Sequence, residues 1–172
     1  MATYQHLGME LRVSEQDTVN TAYFAHCATG RFSLQRCDGC QLLHYPPSAG
    51  CPWCGHAGYR WDEVDGRGTV YSYSEVTHAV QPGFAPYVPY MVLLVELDTQ
   101  RGQPSAGEAI RVLGNLVRPD GTMASPQEVA RVGIGTRVRM VFTQLGETMA
   151  LPQWTVDEDA APVQAWRPDV SR

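Results

Sequence analysis

The sequence predicts a mainly β protein, and three observations carry that expectation. Four cysteines fall in two Cys-x-x-Cys pairs, Cys37/Cys40 and Cys51/Cys54, with ten residues between the pairs. Downstream, five short segments rich in β-branched, aromatic or alternating apolar residues sit between turn-forming residues. Only two short stretches read as helix. The expected order is an N-terminal short helix, a rubredoxin-like zinc ribbon and then a five-stranded OB-fold barrel. In numbers, an N-terminal helical segment occupies 1–30, the ribbon 31–63, the barrel 64–156 and an acidic C-terminal tail 157–172.

The first helix is expected within Thr18–Cys27, with Asp17 or Thr18 as N-cap and Gly30 ending it. Cys27 lies in this stretch, apart from the other four. A catalytic thiol needs a nearby base, and its sequence neighbour His26 faces another direction on a helix. Cys27 therefore reads as a buried structural cysteine.

Two doubled Cys-x-x-Cys pairs read as a metal site before they read as disulfides. Each pair forms a tight knuckle with both sulfurs pointing one way, and two knuckles supply a closed tetrahedral set of thiolates. Gly55 suits the turn that follows the second pair. Arg36, His44, His56 and Arg60 lie close enough in sequence to be outer donors. The competing readings are free cysteines or two thioredoxin-like redox pairs; Pro46-Pro47 and Pro52 argue against the strand-then-helix setting a redox pair requires. Zinc is expected, with iron as the alternative. Four protein ligands leave no position for a catalytic water, so the site is structural.

The barrel strands follow in order. Thr69–Val76 is β-branched and aromatic, and Met91–Leu97 carries the apolar run of a strand covered on both faces. Ala109–Val117 is the third, with Gly114 suggesting a bulge or bend. A short helix at Pro126–Arg131 precedes Arg137–Phe142, whose alternation puts Val138, Met140 and Phe142 on one face. Thr148–Val156 is the last strand, and the tail from Asp157 reads as loose. Five short strands with a helix before the fourth fit a closed Greek-key barrel.

Composition removes several chemistries. All 13 basic residues are arginine, so no lysine exists for a Schiff base or a Walker A motif. The net charge is −5, most of it at the two ends, where nucleic-acid binders present a basic face. No apolar stretch is long enough to span a membrane, and the N-terminus lacks the regions of a signal peptide. The expectation is a cytoplasmic protein that contacts neither nucleic acid nor membrane. No G-x-S-x-G elbow or nucleophile–base pair is present, so no catalytic residue is assigned.

The order of motifs adds more. Tyr23-Phe24 before Gly30 leads into Arg36-Cys37-x-x-Cys40, Pro46-Pro47, Cys51-Pro52-x-Cys54-Gly55 and Trp61. Gly66-x-Gly68-Thr69-Val70-Tyr71, Pro89-Tyr90, Gly135-x-x-Val138 and Leu151-Pro152 follow. Across residues 18–156 this resembles the acyl-CoA-associated family of rubredoxin-like zinc ribbon plus OB-fold proteins, long held as a domain of unknown function. One departure is Gln41, where the first knuckle more often has glycine.

The resemblance implies a non-catalytic accessory subunit that binds or covers acyl-CoA in a hetero-oligomer with a thiolase-fold protein. Such partners include thiolases, acyltransferases, 3-hydroxy-3-methylglutaryl-CoA-synthase-like enzymes and retro-aldolases. The residues permit this. His78–Tyr90 is a long, aromatic, proline-stiffened loop, of the kind through which such barrels bind ligands. Candidate contacts to a CoA thioester are His78, Phe84, Tyr87 and Tyr90 there, with Arg31, Arg36, Arg60 and Arg67 for its phosphates. The bland alternative is that these arginines pair with Asp38, Asp62, Glu63 and Asp65, which match them in number. Likewise, a lone loop histidine such as His78 is usually just solvated. Competing functions are a single-stranded nucleic-acid-binding protein and a small stand-alone thioesterase.

Overall fold

The structure is a computed structural model that describes residues 1–168. A hairpin opens the chain, β1 (Ala2–His6) against β2 (Met9–Val13). Its two-residue turn, Leu7-Gly8, has φ of 49° and 73°. Positive φ at both central residues is the twist that matches paired strands. The sequence reading held no element here, because leucine at the first turn position hides the signal that Asn-Gly would give.

Helix α1 (Thr18–Ala28) starts at Asp17, whose carboxylate accepts from the Asn20 amide at 3.1 Å. Gly30 follows it at φ 76°. Tyr23 and Cys27 face inward, one helical turn apart.

The ribbon is a three-stranded antiparallel sheet in the order β4-β3-β5, from β3 (Ser33–Cys37), β4 (Leu43–His44) and β5 (Tyr59–Glu63). Gln35, fully buried in its middle strand, exchanges two hydrogen bonds with the Ser48 backbone.

The barrel holds β6 (Arg67–Val76), β7 (Tyr90–Leu97), β8 (Arg111–Asn115), β9 (Arg137–Gly146) and β10 (Met149–Val156). Its sheet order is β10-β9-β6-β7-β8. A parallel bridge between Leu116 and Trp154, with the Val117 amide donating to the Trp154 carbonyl at 2.8 Å, brings the two ends together. That closure is the Greek-key barrel expected from the strand count. Helix α2 (Pro126–Val129) precedes β9, its start fixed by a reciprocal pair of bonds between Ser125 and Glu128.

Three expectations are corrected. Strand β7 is not covered on both faces: Met91, Leu93, Val95 and Leu97 are buried while the residues between them are half-exposed. Gly114 is no bulge, since its register with Leu93 is regular. It makes room for the Trp154 ring, whose Cδ1 would lie 2.9 Å from an added Cβ. Nor is the segment from Asp157 loose. Asp157 is buried against Arg67, Trp166 bridges Ile134, and Arg167 donates to the Val129 and Val132 carbonyls. Residues 169–172 of that tail lie outside the described residues.

Helix, ribbon and barrel share one apolar cluster. Tyr23, Cys27, Phe32, Leu34 and Leu43 join Leu93, Val95, Val112, Val138 and Trp154 in it. Gln100 adds a polar tie from the β7–β8 loop, its amide bonding both the N–H and the C=O of Leu43 at 2.7 and 2.9 Å. Ribbon and barrel are thus welded rather than flexibly linked. Among the described residues no helix is long and apolar enough to cross a membrane.

Candidate metal centre and ligand surfaces

The two knuckles close on each other. Cys37 ends β3, and Gln41 turns the chain back at φ 61°. This is the left-handed conformation that glycine adopts without strain and other residues adopt at a cost of about 1 kcal/mol. Gln41 has compensating bonds: its carbonyl accepts from Arg36 Nη1 at 2.8 Å, and its side-chain amide donates to the Asp38 carbonyl at 2.8 Å. In the second knuckle Gly55 takes the equivalent turn at φ 77°, donating to the Cys51 carbonyl at 2.9 Å.

The four sulfurs of Cys37, Cys40, Cys51 and Cys54 lie within 4.8 Å of one another. Cys37 and Cys54 are 3.5 Å apart, and Cys40 and Cys51 3.6 Å. Thiolates about 2.3 Å from a zinc ion in a tetrahedron sit roughly 3.8 Å from each other, so the set fits a four-coordinate ion. At Cys37 backbone amides favour the thiolate form. Cys40 and Gly39 N–H groups point at the Cys37 sulfur and hold its thiol down at about 6. The four cysteines are therefore positioned to hold a metal ion. Cys27 is separate and fully buried, and burial pushes its thiol up to about 12.

The outer side chains are arranged unequally. Arg60 reaches Asp38 and Asp62 at 3.5 and 3.2 Å, and Arg36 bonds the same Asp62. The Arg36 guanidinium holds the Asp62 carboxyl below its ordinary range. His56 accepts from the Gly58 amide at 2.9 Å and packs against Gly39, where a Cβ would lie only 3.0 Å from its own Cβ. His44 is buried, and burial lowers its pKa.

The eight residues considered for CoA do not form one surface. Arg67 starts β6, while His78 lies beyond its other end. Ten residues at about 3.3 Å each separate the two by roughly 30 Å. Arg36, Arg60 and Arg67 are tied to carboxylates, Arg67 to Asp157 at 3.1 Å and Asp65 at 3.6 Å. The pairing expected with Glu63 is not made; Asp157, distant in sequence, takes its place. Among the described residues the Arg31 side chain reaches the Thr29 hydroxyl, at 3.4 Å, and no carboxylate.

At the far end, the β6–β7 loop contains a 3-10 turn, Pro82–Tyr87. Phe84, Tyr87 and Tyr90 gather there around Val117, Met123 and Val141, with Leu7 of the hairpin turn among them. Phe84 lies 4.9 Å from Tyr90 and 6.0 Å from His6, ring to ring. The loop is thus partly covered by β1–β2. His78 stands exposed outside this cluster. Sequence reasoning missed the hairpin, Gln100 and Asp157. The signal for the hairpin was the Leu7-Gly8 step between two short runs; the other two act at distances that sequence spacing does not reveal.

Comparisons with known proteins agree with this architecture. Residues 24–60 match the rubredoxin-like zinc ribbon domain of ChsH2, and residues 61–143 its C-terminal OB-fold domain. A chain of the Ltp2-ChsH2(DUF35) aldolase superposes with a TM-score of 0.63 at 29% identity, over 85% of this chain and 98% of that one. A DUF35-family protein of unknown function from Sulfolobus solfataricus shares the fold, with a TM-score of 0.50 at 13% identity over 82% of this chain and 87% of that one. A probable enoyl-CoA hydratase alpha subunit from Thermomonospora curvata is 38% identical over 100 residues, 57% of this chain. The match spans only 27% of that protein's length. With adjoining ribbon and barrel matches in the order the fold shows, the chain belongs to the ChsH2-like (DUF35) family of zinc-ribbon and OB-fold proteins.

Proposed function

We propose that this chain is a non-catalytic accessory subunit that binds or covers acyl-CoA and assembles with a thiolase-fold enzyme. The observation that carries the reading is the likeness to a chain of the Ltp2-ChsH2(DUF35) aldolase, which takes in nearly the whole of that chain. The similarity to an enoyl-CoA hydratase subunit supports an acyl-CoA setting. In this reading Cys37, Cys40, Cys51 and Cys54 hold one zinc ion, which supplies a structural cross-link and no reactive position. The working units are 1–30, 31–63, 64–156 and 157–172, with the ribbon sheet inside the second and the barrel strands inside the third.

Contacts to CoA are assigned to the loop end, where Phe84, Tyr87, Tyr90 and exposed His78 sit, and to Arg31. Arg36, Arg60 and Arg67 contribute second, because each must first leave a carboxylate.

Co-expression with a thiolase-fold protein encoded beside this chain tests the assignment. A complex that survives gel filtration, and whose acyl-CoA turnover needs both chains, is the expected result. Turnover by this chain alone, or a partner that is fully active and never associates, overturns it. Salt-sensitive binding to single-stranded oligonucleotides without any such complex would favour the nucleic-acid reading instead.

A further inference from the structure

Beneath the β6–β7 loop lies a cavity of about 220 Å³ between the N-terminal hairpin and the barrel. His6, Leu7, Tyr87, Arg118, Met123 and Gln153 line it. Its polar groups are unusual in what they leave unspent. His6 is only 8% exposed, yet its Nε2 has no hydrogen-bond partner. A buried polar atom without a partner costs about 1–3 kcal/mol and calls for a ligand or a water. Gln153 is 3% exposed; its carbonyl oxygen accepts from the Asn115 amide at 2.6 Å, which leaves its NH2 group as a donor. Arg118 spends its Nε on Glu128 at 3.1 and 3.2 Å, and among the described residues both its terminal nitrogens stay available.

Thr122 and Thr143 also line the space, but their hydroxyl protons go to Asp120 and to the Gly121 carbonyl. No carboxylate is among the lining residues. The cavity therefore presents donor groups left over after the Arg118–Glu128 pair, beside the apolar side chains of Leu7 and Met123. Burial lowers the His6 pKa, so its ring is neutral near pH 7 and offers one N–H.

We propose that this cavity is a binding site for a short-chain carboxylate, with the charged end on Arg118, Gln153 and His6. The aliphatic end lies against Leu7 and Met123. A guanidinium with free terminal nitrogens matches carboxylate geometry, and a buried amide donor fixes its orientation. A neutral amide of equal size keeps one acceptor oxygen but turns its NH2 group toward the remaining donors, and it binds more weakly. The site belongs to this chain alone and does not depend on the accessory-subunit reading.

The test is titration of the full metal-loaded chain, without any partner, with propionate and with propionamide. Calorimetry and the ring-nitrogen signals of His6 are the readouts. Propionate is expected to bind one to one in the millimolar range and to shift the His6 signals. Propionamide binds at least about tenfold more weakly. Arg118→Gln weakens propionate by about tenfold or more, and His6→Phe, which keeps an aromatic ring there and deletes its N–H, weakens it a few-fold by calorimetry. If Arg118→Gln does not fold, the His6→Phe titration and the His6 signals of the unaltered chain decide the matter. A cavity that holds only water gives no propionate-dependent shift, and that outcome overturns the proposal. So does equal binding of acid and amide, or binding indifferent to both substitutions.

Discussion

Replacing Gly114 and Trp154 separately and together tests how the barrel closes. Trp154 is fully buried, its indole N–H donates to the Val112 carbonyl at 3.3 Å, and its backbone forms the bridge to Leu116. Trp154→Ala removes that packing and should cost about 3–5 kcal/mol, a large part of a typical domain stability of roughly 5–15 kcal/mol. An alanine at position 114 would place Cβ 2.9 Å from Trp154 Cδ1 and 3.2 Å from both Trp154 Nε1 and the Pro152 carbonyl. Gly114→Ala alone should therefore cost about 1–3 kcal/mol from overpacking, less a few tenths for the stiffer unfolded chain.

In the double variant the two ring contacts vanish and only the Pro152 carbonyl remains close. The pair should be less destabilised than the sum of the singles by about 1–2 kcal/mol. Urea denaturation of metal-loaded protein followed by circular dichroism supplies the midpoints and slopes. Trp154→Phe offers a milder background with the same sign of coupling, because phenylalanine lacks the pyrrole edge that faces Gly114. Energies additive to within about 0.5 kcal/mol would refute the reasoning, as would a Trp154→Ala cost below about 1 kcal/mol.

Further outcomes follow from the ribbon, the tail and the short helix. Cys51→Ser or Cys54→Ser should drop metal content from one ion per chain to well below one; since the ribbon shares its core with the barrel, thermal stability falls too. Unchanged metal content by elemental analysis would exclude the four-thiolate site. Arg167→Ala deletes donors to the Val129 and Val132 carbonyls and to Glu75. It should cost about 1–2 kcal/mol and speed proteolysis between residues 157 and 166, and unaltered proteolysis would mean the Ile134–Trp166 bridge holds the tail alone. The Glu128 carboxyl is held at about 2, chiefly by the Ser125 amide and also by Arg118, against 4.5 ordinarily. A depressed carboxylate adds stability above its unfolded value and loses it as pH falls toward the folded one. Denaturation midpoints should thus decline between about pH 4.5 and 2, and Glu128→Gln should flatten that decline.

Much of the architecture was legible because its signals are local. A Cys-x-x-Cys knuckle needs four adjacent residues and one turn, so its spacing announces it. Strand alternation and the Asp17 cap likewise act within a few residues. Gln41 shows where local reading stops. Its side chain gives no hint of a left-handed turn, because the bonds to Arg36 and Asp38 that accompany the conformation exist only in the folded ribbon.

By itself the sequence determined the mainly β class, the four cysteines positioned to hold a metal ion and the absence of any lysine chemistry. Only tertiary structure decided that β1–β2 covers the aromatic loop, that Gly114 yields to Trp154, and that Asp157 joins Asp65 in neutralising Arg67. It also placed Arg67 and the aromatic loop at opposite ends of β6. The physical reason is separation along the chain. Arg67 and Asp157 stand ninety residues apart, and only barrel closure brings them within 3.1 Å.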